Sequence, residues 1–307
     1  MGGLGELFKQ TSVIVCTVDR LADLERCLES LQRFRATVAE IIVVNNGPHL
    51  AAVEEVAKGR MARVVTEQRR GVSRARNAGI RAALGNFVAF VDDDTRATES
   101  WLPHLIAPLV DSAVDCVMGA VRAEDPSNPV HKAFEHLVCA GLPYAPKMLD
   151  ARAAADRFPL RMAMNGFTMN AAFRRDVFER FGYFDERFGR GTRIGSGEDP
   201  DLFFNVLRHG GRILFEPRAL VLHRWPTDWK ALRRSVFQGG CGHGAILTKY
   251  FLEDPSLRAE VLRYVASRIL RPKEHASPTS SETSIPRLPF LLGSLYGPLA
   301  FFLSRRK

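Results

Sequence analysis

Phe87-Val88-Ala89-Phe90-Val91-Asp92-Asp93-Asp94 decides how this chain folds. Five consecutive apolar residues form too short a run for a helix and lack the alternation of a half-exposed strand. They read as a strand buried on both faces. It ends on three adjacent carboxylates. Upstream, 73–84 reads as a helix with Ser73 as its cap, preceded by a strand at Ala62-Arg63-Val64-Val65. Before that come a helix over 51–58 and the buried strand Ile41-Ile42-Val43-Val44, stopped by the turn signal Asn45-Asn46-Gly47-Pro48. Leu21, Leu24, Leu28 and Leu31 recur at helical spacing after the first strand, Ser12-Val13-Ile14-Val15-Cys16. Strand and helix alternate, so the fold class is α/β, with a doubly wound, mainly parallel sheet. Ligands of such sheets sit beyond the carboxyl ends of the strands. Thr17, Asp19, Asn46 and the run Asp92, Asp93 and Asp94 are therefore expected around one crevice.

Downstream, Val117-Met118-Gly119-Ala120-Val121 reads as a further strand. The stretch 123–161 has several prolines and weak periodicity, as an inserted or substrate-facing region would. Arg212-Ile213-Leu214-Phe215 and Ala219-Leu220-Val221-Leu222 read as late strands ending at His223, with helix from about 228. A Ser-, Thr- and Pro-rich stretch over 272–283 reads as a linker. The apolar run 288–303 follows, closed by Arg305-Arg306-Lys307. It is broken by Pro289, Gly293, Gly297 and Pro298 and is short for a membrane span. A peripheral contact with an anionic membrane surface fits it, the competing reading being a helix packed on protein. This organisation gives a catalytic domain over 1–227, a helical extension over 228–271, a linker over 272–287 and a tail over 288–307.

The chain has 307 residues, 46% hydrophobic and 25% charged, with a formal net charge of +9. That charge favours anionic partners. The bases are dispersed among acids with no recognition motif, which argues against nucleic acid. Five cysteines at irregular spacing, without a CxxC, indicate neither a disulfide framework nor a zinc ribbon, and read as apolar fillers in a reducing compartment. No basic region followed by an apolar run opens the chain, so the expected location is cytoplasmic or peripheral at the inner face of the cell membrane.

Three adjacent carboxylates repel one another unless a cation lies among them. A hard divalent ion, Mn²⁺ or Mg²⁺, prefers oxygen ligands and bridges to phosphates. The competing reading is a solvated acidic turn. Gly195-Ser196-Gly197-Glu198-Asp199-Pro200-Asp201 is a second acidic element, able to offer a base to an attacking hydroxyl. It also reads as a helix start, with Asp199 capping and Pro200 in the first position. Gly71-Val72-Ser73-Arg74-Ala75-Arg76-Asn77-Ala78-Gly79 is a basic helix start suited to a diphosphate. His223 stands at a strand end as a further candidate ligand, although lone histidines are more often structural. Gly239-Gly240-Cys241-Gly242-His243-Gly244 lacks the lysine of a P-loop and reads as a loop or a close helix contact.

Taken in order, these segments resemble family 2 glycosyltransferases of the GT-A fold. The resemblance runs from about Thr11 to Trp225 and includes Gly182-Tyr183-Phe184-Asp185-Glu186. It implies inverting transfer from a nucleoside-diphosphate sugar to an acceptor hydroxyl; the apolar tail and the net charge, not the resemblance, point to a glycan or lipid-linked acceptor. It also implies nucleotide contacts at Thr17, Asp19 and Asn46, and donor contacts at Gly71, Arg76, Asn77 and Asp93. Asp94 would be the principal metal ligand, helped by Asp92 and His223, and Asp199 the general base, supported by Glu198. Two positions depart from the pattern: Asn45-Asn46 stands where an aspartate is usual, and Val18 where an aromatic is usual. The alternatives are a nucleotidyltransferase, disfavoured because Thr17-Val18-Asp19-Arg20 is not glycine-rich, and a non-catalytic, membrane-associated sugar-nucleotide binder.

Overall fold

The computed structural model describes residues 2–139, 144–155, 158, 160–163, 167–270 and 287–305. Among them, nine strands form one sheet: β1 (Thr11–Thr17), β2 (Glu40–Asn45), β3 (Arg63–Thr66), β4 (Phe87–Asp92), β5 (Thr95–Ala97), β6 (Cys116–Ala123), β7 (Lys147–Asp150), β8 (Asn170–Arg174) and β9 (Arg212–His223). The order is β3-β2-β1-β4-β8-β6-β9-β5, with β7 also paired to β9. β1 to β4 run parallel, as do β6 and β9, whereas β8, β5 and β7 run against their neighbours. The helices are α1 (Gly2–Lys9), α2 (Leu21–Leu31), α3 (Leu50–Lys58), α4 (Val72–Ala82), α5 (Trp101–Ile106), α6 (Pro129–Cys139), α7 (Leu160–Ala163), α8 (Val177–Phe181), α9 (Glu198–Arg208), α10 (Trp229–Glu253), α11 (Arg258–Leu270) and α12 (Arg287–Ser304).

The central strands read as unbroken apolar runs because both faces are covered. Ile14, Ile42, Val44, Val88 and Phe90 point into one core layer with residues of α4, α9 and α10. Val13, Val15, Ile41, Val43, Ala89 and Val91 point into the other, with residues of α2, α3 and α5. Alternation along each strand thus feeds two cores at once.

The stretch 123–161 is more ordered than its sequence indicates. It contains α6 and β7, and β7 extends the sheet antiparallel to β9. The two late strands are one: β9 runs through Glu216-Pro217-Arg218, and its register against β6 shifts between Gly119 and Ala120. Pro217 has no N–H for a ladder bond, so pattern alone splits this strand. Ser73 is not a cap. Gly71, at φ +143°, precedes α4, and the Ser73 hydroxyl donates to the Phe188 carbonyl at 2.8 Å.

The glycines of 239–244 lie inside α10, not in a loop. They seat α12: a Cβ on Gly240 would come 2.1 Å from the Phe290 carbonyl oxygen, and one on Gly244 2.2 Å from that of Ser294. Gly293 makes the reciprocal approach, 2.0 Å from the Phe237 carbonyl. One face of the apolar tail therefore packs on protein, while Leu288, Leu291, Leu295 and Leu299 on its other face are exposed. No helix among the described residues is long and apolar enough to cross a membrane. Cys16, Cys27, Cys116 and Cys241 carry free thiols. The expected linker over 272–283, and Arg306 and Lys307, lie outside the described residues.

Candidate active site

The acidic triplet occupies the turn between β4 and β5. β5 pairs antiparallel with the end of β9, setting Thr95 opposite His223. The Arg224 amide donates to the Asp94 carbonyl at 2.9 Å. This pairing brings a histidine from 129 positions downstream to the aspartates, with His223 Nε2 3.2 Å from Asp94 Oδ1. Ligand atoms of Asp92, Asp94 and His223 all lie within 4.8 Å of one another.

Asp94 Oδ1 is buried and, among the described residues, meets the hydrogen-bond geometry with no donor, although His223 Nε2 lies 3.2 Å away. Burial works against the charge of Asp94, but His223, Arg20 and Arg190 outweigh it and hold its pKa well below the usual carboxylate range. An ionised oxygen without a partner, beside a second carboxylate and an imidazole, is a donor set that a divalent cation fits. Asp93 differs. Its Oδ2 accepts from the Thr17 hydroxyl at 2.7 Å, and burial, opposed by Arg20, pushes its pKa up to about 7. Arg20 spans Asp93 and Asp94 with its two terminal nitrogens.

Arg76 joins the triplet to the second acidic element. Its guanidinium is 3% exposed, and lies 3.4 Å from Asp92 Oδ1, 3.3 Å from Glu198 Oε1 and 2.9 Å from Asp199 Oδ1. Gly197 sits in the left-handed region at φ +97° before α9, so Glu198 and Asp199 occupy the first helical turn. Carboxylates are favourable there. Asp199 does not cap the helix. Its oxygens are held by Arg76, by the Thr168 hydroxyl and by the Thr168 amide at 3.2 Å. Burial raises the pKa of Asp199 against Arg76 and Thr168. Burial and the neighbouring Asp199 push Glu198 up to about 7.

Asn46 and Asn77, expected beside a donor, have their amides committed to backbone. Asn46 donates to the Glu67 and Arg69 carbonyls at 2.7 and 2.9 Å and accepts from the Gly71 amide at 2.8 Å. Asn77 donates to the Phe184 carbonyl at 2.9 Å and accepts from its amide at 3.0 Å. Asn46 thereby ties the end of β2 to the loop before α4, and Asn77 ties α4 to Phe184. Gly71 abuts Gly191, and the Val72 amide donates to the Arg190 carbonyl at 2.9 Å. Asp19 is exposed. Arg20, Thr168 and Trp225 also belong to the site, through Asp93, Asp199 and His223, although nothing in the sequence pattern singles them out. Arg20 stood within the first motif, but Thr168 lies in a stretch with no pattern at all.

A family model described as glycosyl transferase family 2 matches residues 12–182. The chain belongs to that family, and this sets aside the nucleotidyltransferase alternative. It is 29% identical over 250 residues to the succinoglycan biosynthesis protein ExoM of Rhizobium meliloti, covering 76% of this chain and 74% of that one. It is 27% identical over 247 residues to a pre-mycofactocin glycosyltransferase of Mycobacterium tuberculosis, spanning 77% of this chain but 47% of that relative. Its fold is similar to that of the mannosyltransferase PcManGT from Pyrobaculum calidifontis, solved with GDP-Man and Mn²⁺. That match has a TM-score of 0.58 at 18% identity, over 96% of this chain and 86% of that one.

Proposed function

We propose that this glycosyltransferase moves a sugar, with inversion, from a nucleoside-diphosphate sugar to an acceptor hydroxyl, with Asp199 as general base. The observation that carries this reading is Arg76, whose one guanidinium touches both Asp92 and Asp199. A leaving diphosphate at the triplet and an attacking hydroxyl at α9 would then face each other across one sugar. Asp92, Asp94 and His223 would hold a divalent cation, Mn²⁺ or Mg²⁺. That cation would supply positive charge for the departing diphosphate. Arg76 adds fixed charge beside it. Asp199 accepts the acceptor's proton as the C–O bond forms, and Glu198 shares the buried charge. Thr17 positions Asp93 toward the donor, and Arg20 must release the two aspartates or turn to the phosphates when the donor enters. Asp19, with the loop that Asn46 and Gly71 hold, would line the nucleotide end, and Asn77 would act on the donor through Phe184.

The Mn²⁺ and GDP-Man in the Pyrobaculum mannosyltransferase support the donor and metal classes. The relative named for succinoglycan biosynthesis supports a glycan acceptor. The exposed leucines of α12 support a lipid-linked or cell-envelope acceptor met at a membrane surface. Thermal shift with a panel of nucleotide sugars, with and without Mn²⁺, tests the core of this reading. One donor should stabilise the protein only with metal. Asp94→Asn should abolish that shift, and Asp199→Asn should keep it while losing turnover. A panel in which no donor gives a metal-dependent shift overturns the proposal.

A further inference from the structure

α12 is an apolar helix packed on one face only. Phe290, Gly293, Gly297, Ala300 and Phe301 turn toward α10 and the body of the protein. Leu288, Leu291, Leu295, Leu299 and Phe302 recur at three- and four-residue spacing on the opposite side. Leu295 is 78% exposed and Leu288 65%. Eighteen residues with Pro298 inside make a helix about 27 Å long. Such a stripe lies along an interface rather than through it.

The edge of α10 continues this stripe with charge. Phe237 contacts Tyr296 at 6.1 Å between ring centroids, which sets that edge of α10 flush with the exposed side of α12. Lys230, Arg233 and Arg234 lie one and two turns before Phe237 on the same side, all exposed, and none is ion-paired among the described residues. Trp229, 46% exposed, begins the helix. An apolar stripe bordered by free bases and an exposed tryptophan matches the layers of a bilayer surface, with acyl chains below and phosphates above. A second copy of the chain is disfavoured as the occupant. Two such faces would bring their basic edges together, on a protein that already carries +9.

We propose that α10 and α12 together form the face by which this protein lies on an anionic lipid bilayer. The inference deepens, and rests on, the membrane part of the functional reading above. α10 carries that face on one side and backs the site on the other: Gly242 packs on Gly197, and Lys249 pairs with Asp201 of α9 at 2.7 Å. The bilayer would thus lie on the far side of α10 from the α9 carboxylates.

Co-sedimentation of the full chain tests this, using vesicles of phosphatidylcholine alone and of phosphatidylcholine with about one-third phosphatidylglycerol. The protein should sediment with the anionic vesicles and be released by salt. Leu295→Ser with Leu299→Ser, both on the exposed side, should weaken binding more than about tenfold. Arg233→Glu with Arg234→Glu should do likewise on anionic vesicles only. Donor-dependent thermal shift, run on the same variants, should be unchanged. Intact donor shift without vesicle binding by the parent protein overturns this inference and leaves the transferase reading standing. Equal binding to both vesicle types, or a dimer that Leu295→Ser dissociates, also overturns it.

Discussion

Trp225 lies against His223 with ring centroids 3.7 Å apart and planes 20° apart, and Phe134 stacks in turn on Trp225 at 5.3 Å and 2°. His223 Nδ1 is buried and has no hydrogen-bond partner among the described residues. A metal-binding histidine usually has its ring fixed by a hydrogen bond from the second nitrogen. Here the aromatic stack fixes the ring instead, aiming Nε2 at Asp94. Trp225→Leu should therefore weaken Mn²⁺ binding by about tenfold, the scale on which such supporting contacts act. Trp225→Phe should retain most of the affinity. Calorimetric titration of Mn²⁺ into each variant reads this without turnover, and equal affinities would show that the stack is packing only.

Arg76 is the buried counterion of three carboxylates. Removing one partner of a buried ionic cluster leaves uncompensated charge, at a cost of about 3–5 kcal/mol. Arg76→Met should lower stability toward urea by that order and abolish transfer. Arg76→Lys keeps the charge but cannot reach Asp92 and Asp199 with separate nitrogens, so it should fold better and still turn over slowly. If Arg76→Met unfolds at the parental midpoint, Arg76 does not hold the cluster together.

As the base of the proposed transfer, Asp199 must be ionised to accept a proton. Burial raises its pKa, and Arg76 and the two Thr168 hydrogen bonds oppose that rise. Activity should fall as pH drops through the pKa of the Glu198–Asp199 pair, which titrates as a unit. Thr168→Val removes the hydroxyl but leaves the amide, so the acid limb of the kcat profile should move to higher pH. A limb that stays in place would remove Thr168 from the tuning of the base.

Much of this was legible in the chain. Runs such as Ile41 to Val44, short, β-branched and closed by a turn signal, read as strands buried on both faces, and ligands of such sheets sit beyond the strand ends. The triplet and Glu198-Asp199 announce themselves as clustered charge. What pattern could not supply was long-range pairing. Thr95 opposite His223 is a sheet register between distant segments, and it alone makes His223 a neighbour of Asp94. Asp199 looked like a cap because aspartate before proline usually is one, yet Gly197 takes the left-handed position and frees the carboxylate for Arg76. The glycines of 239–244 read as a loop or a close helix contact, because they are poor helix formers, and the close helix contact is what forms. Their missing side chains are what allow α12 to approach α10.

His243 gives that helical layer a pH dependence of its own. It is buried in α10, 5.7 Å from Tyr264 of α11 and 5.8 Å from Phe290 of α12 by ring centroids, and its Nδ1 has no hydrogen-bond partner among the described residues. Burial, reinforced by the charge of Arg268, pulls its pKa from 6.5 down to about 4. The unfolded chain thus binds a proton there at a pH where the folded protein does not. Its contribution is fully present above 6.5 and is lost as pH falls toward 4, the loss amounting to about 3 kcal/mol at the low end. His243→Phe fills the same space without a titrating group. Urea unfolding at about pH 7.5 and about pH 5 should show the parent losing more stability than the variant between the two. Parallel losses would mean that His243 becomes protonated in the folded protein as readily as in the unfolded chain.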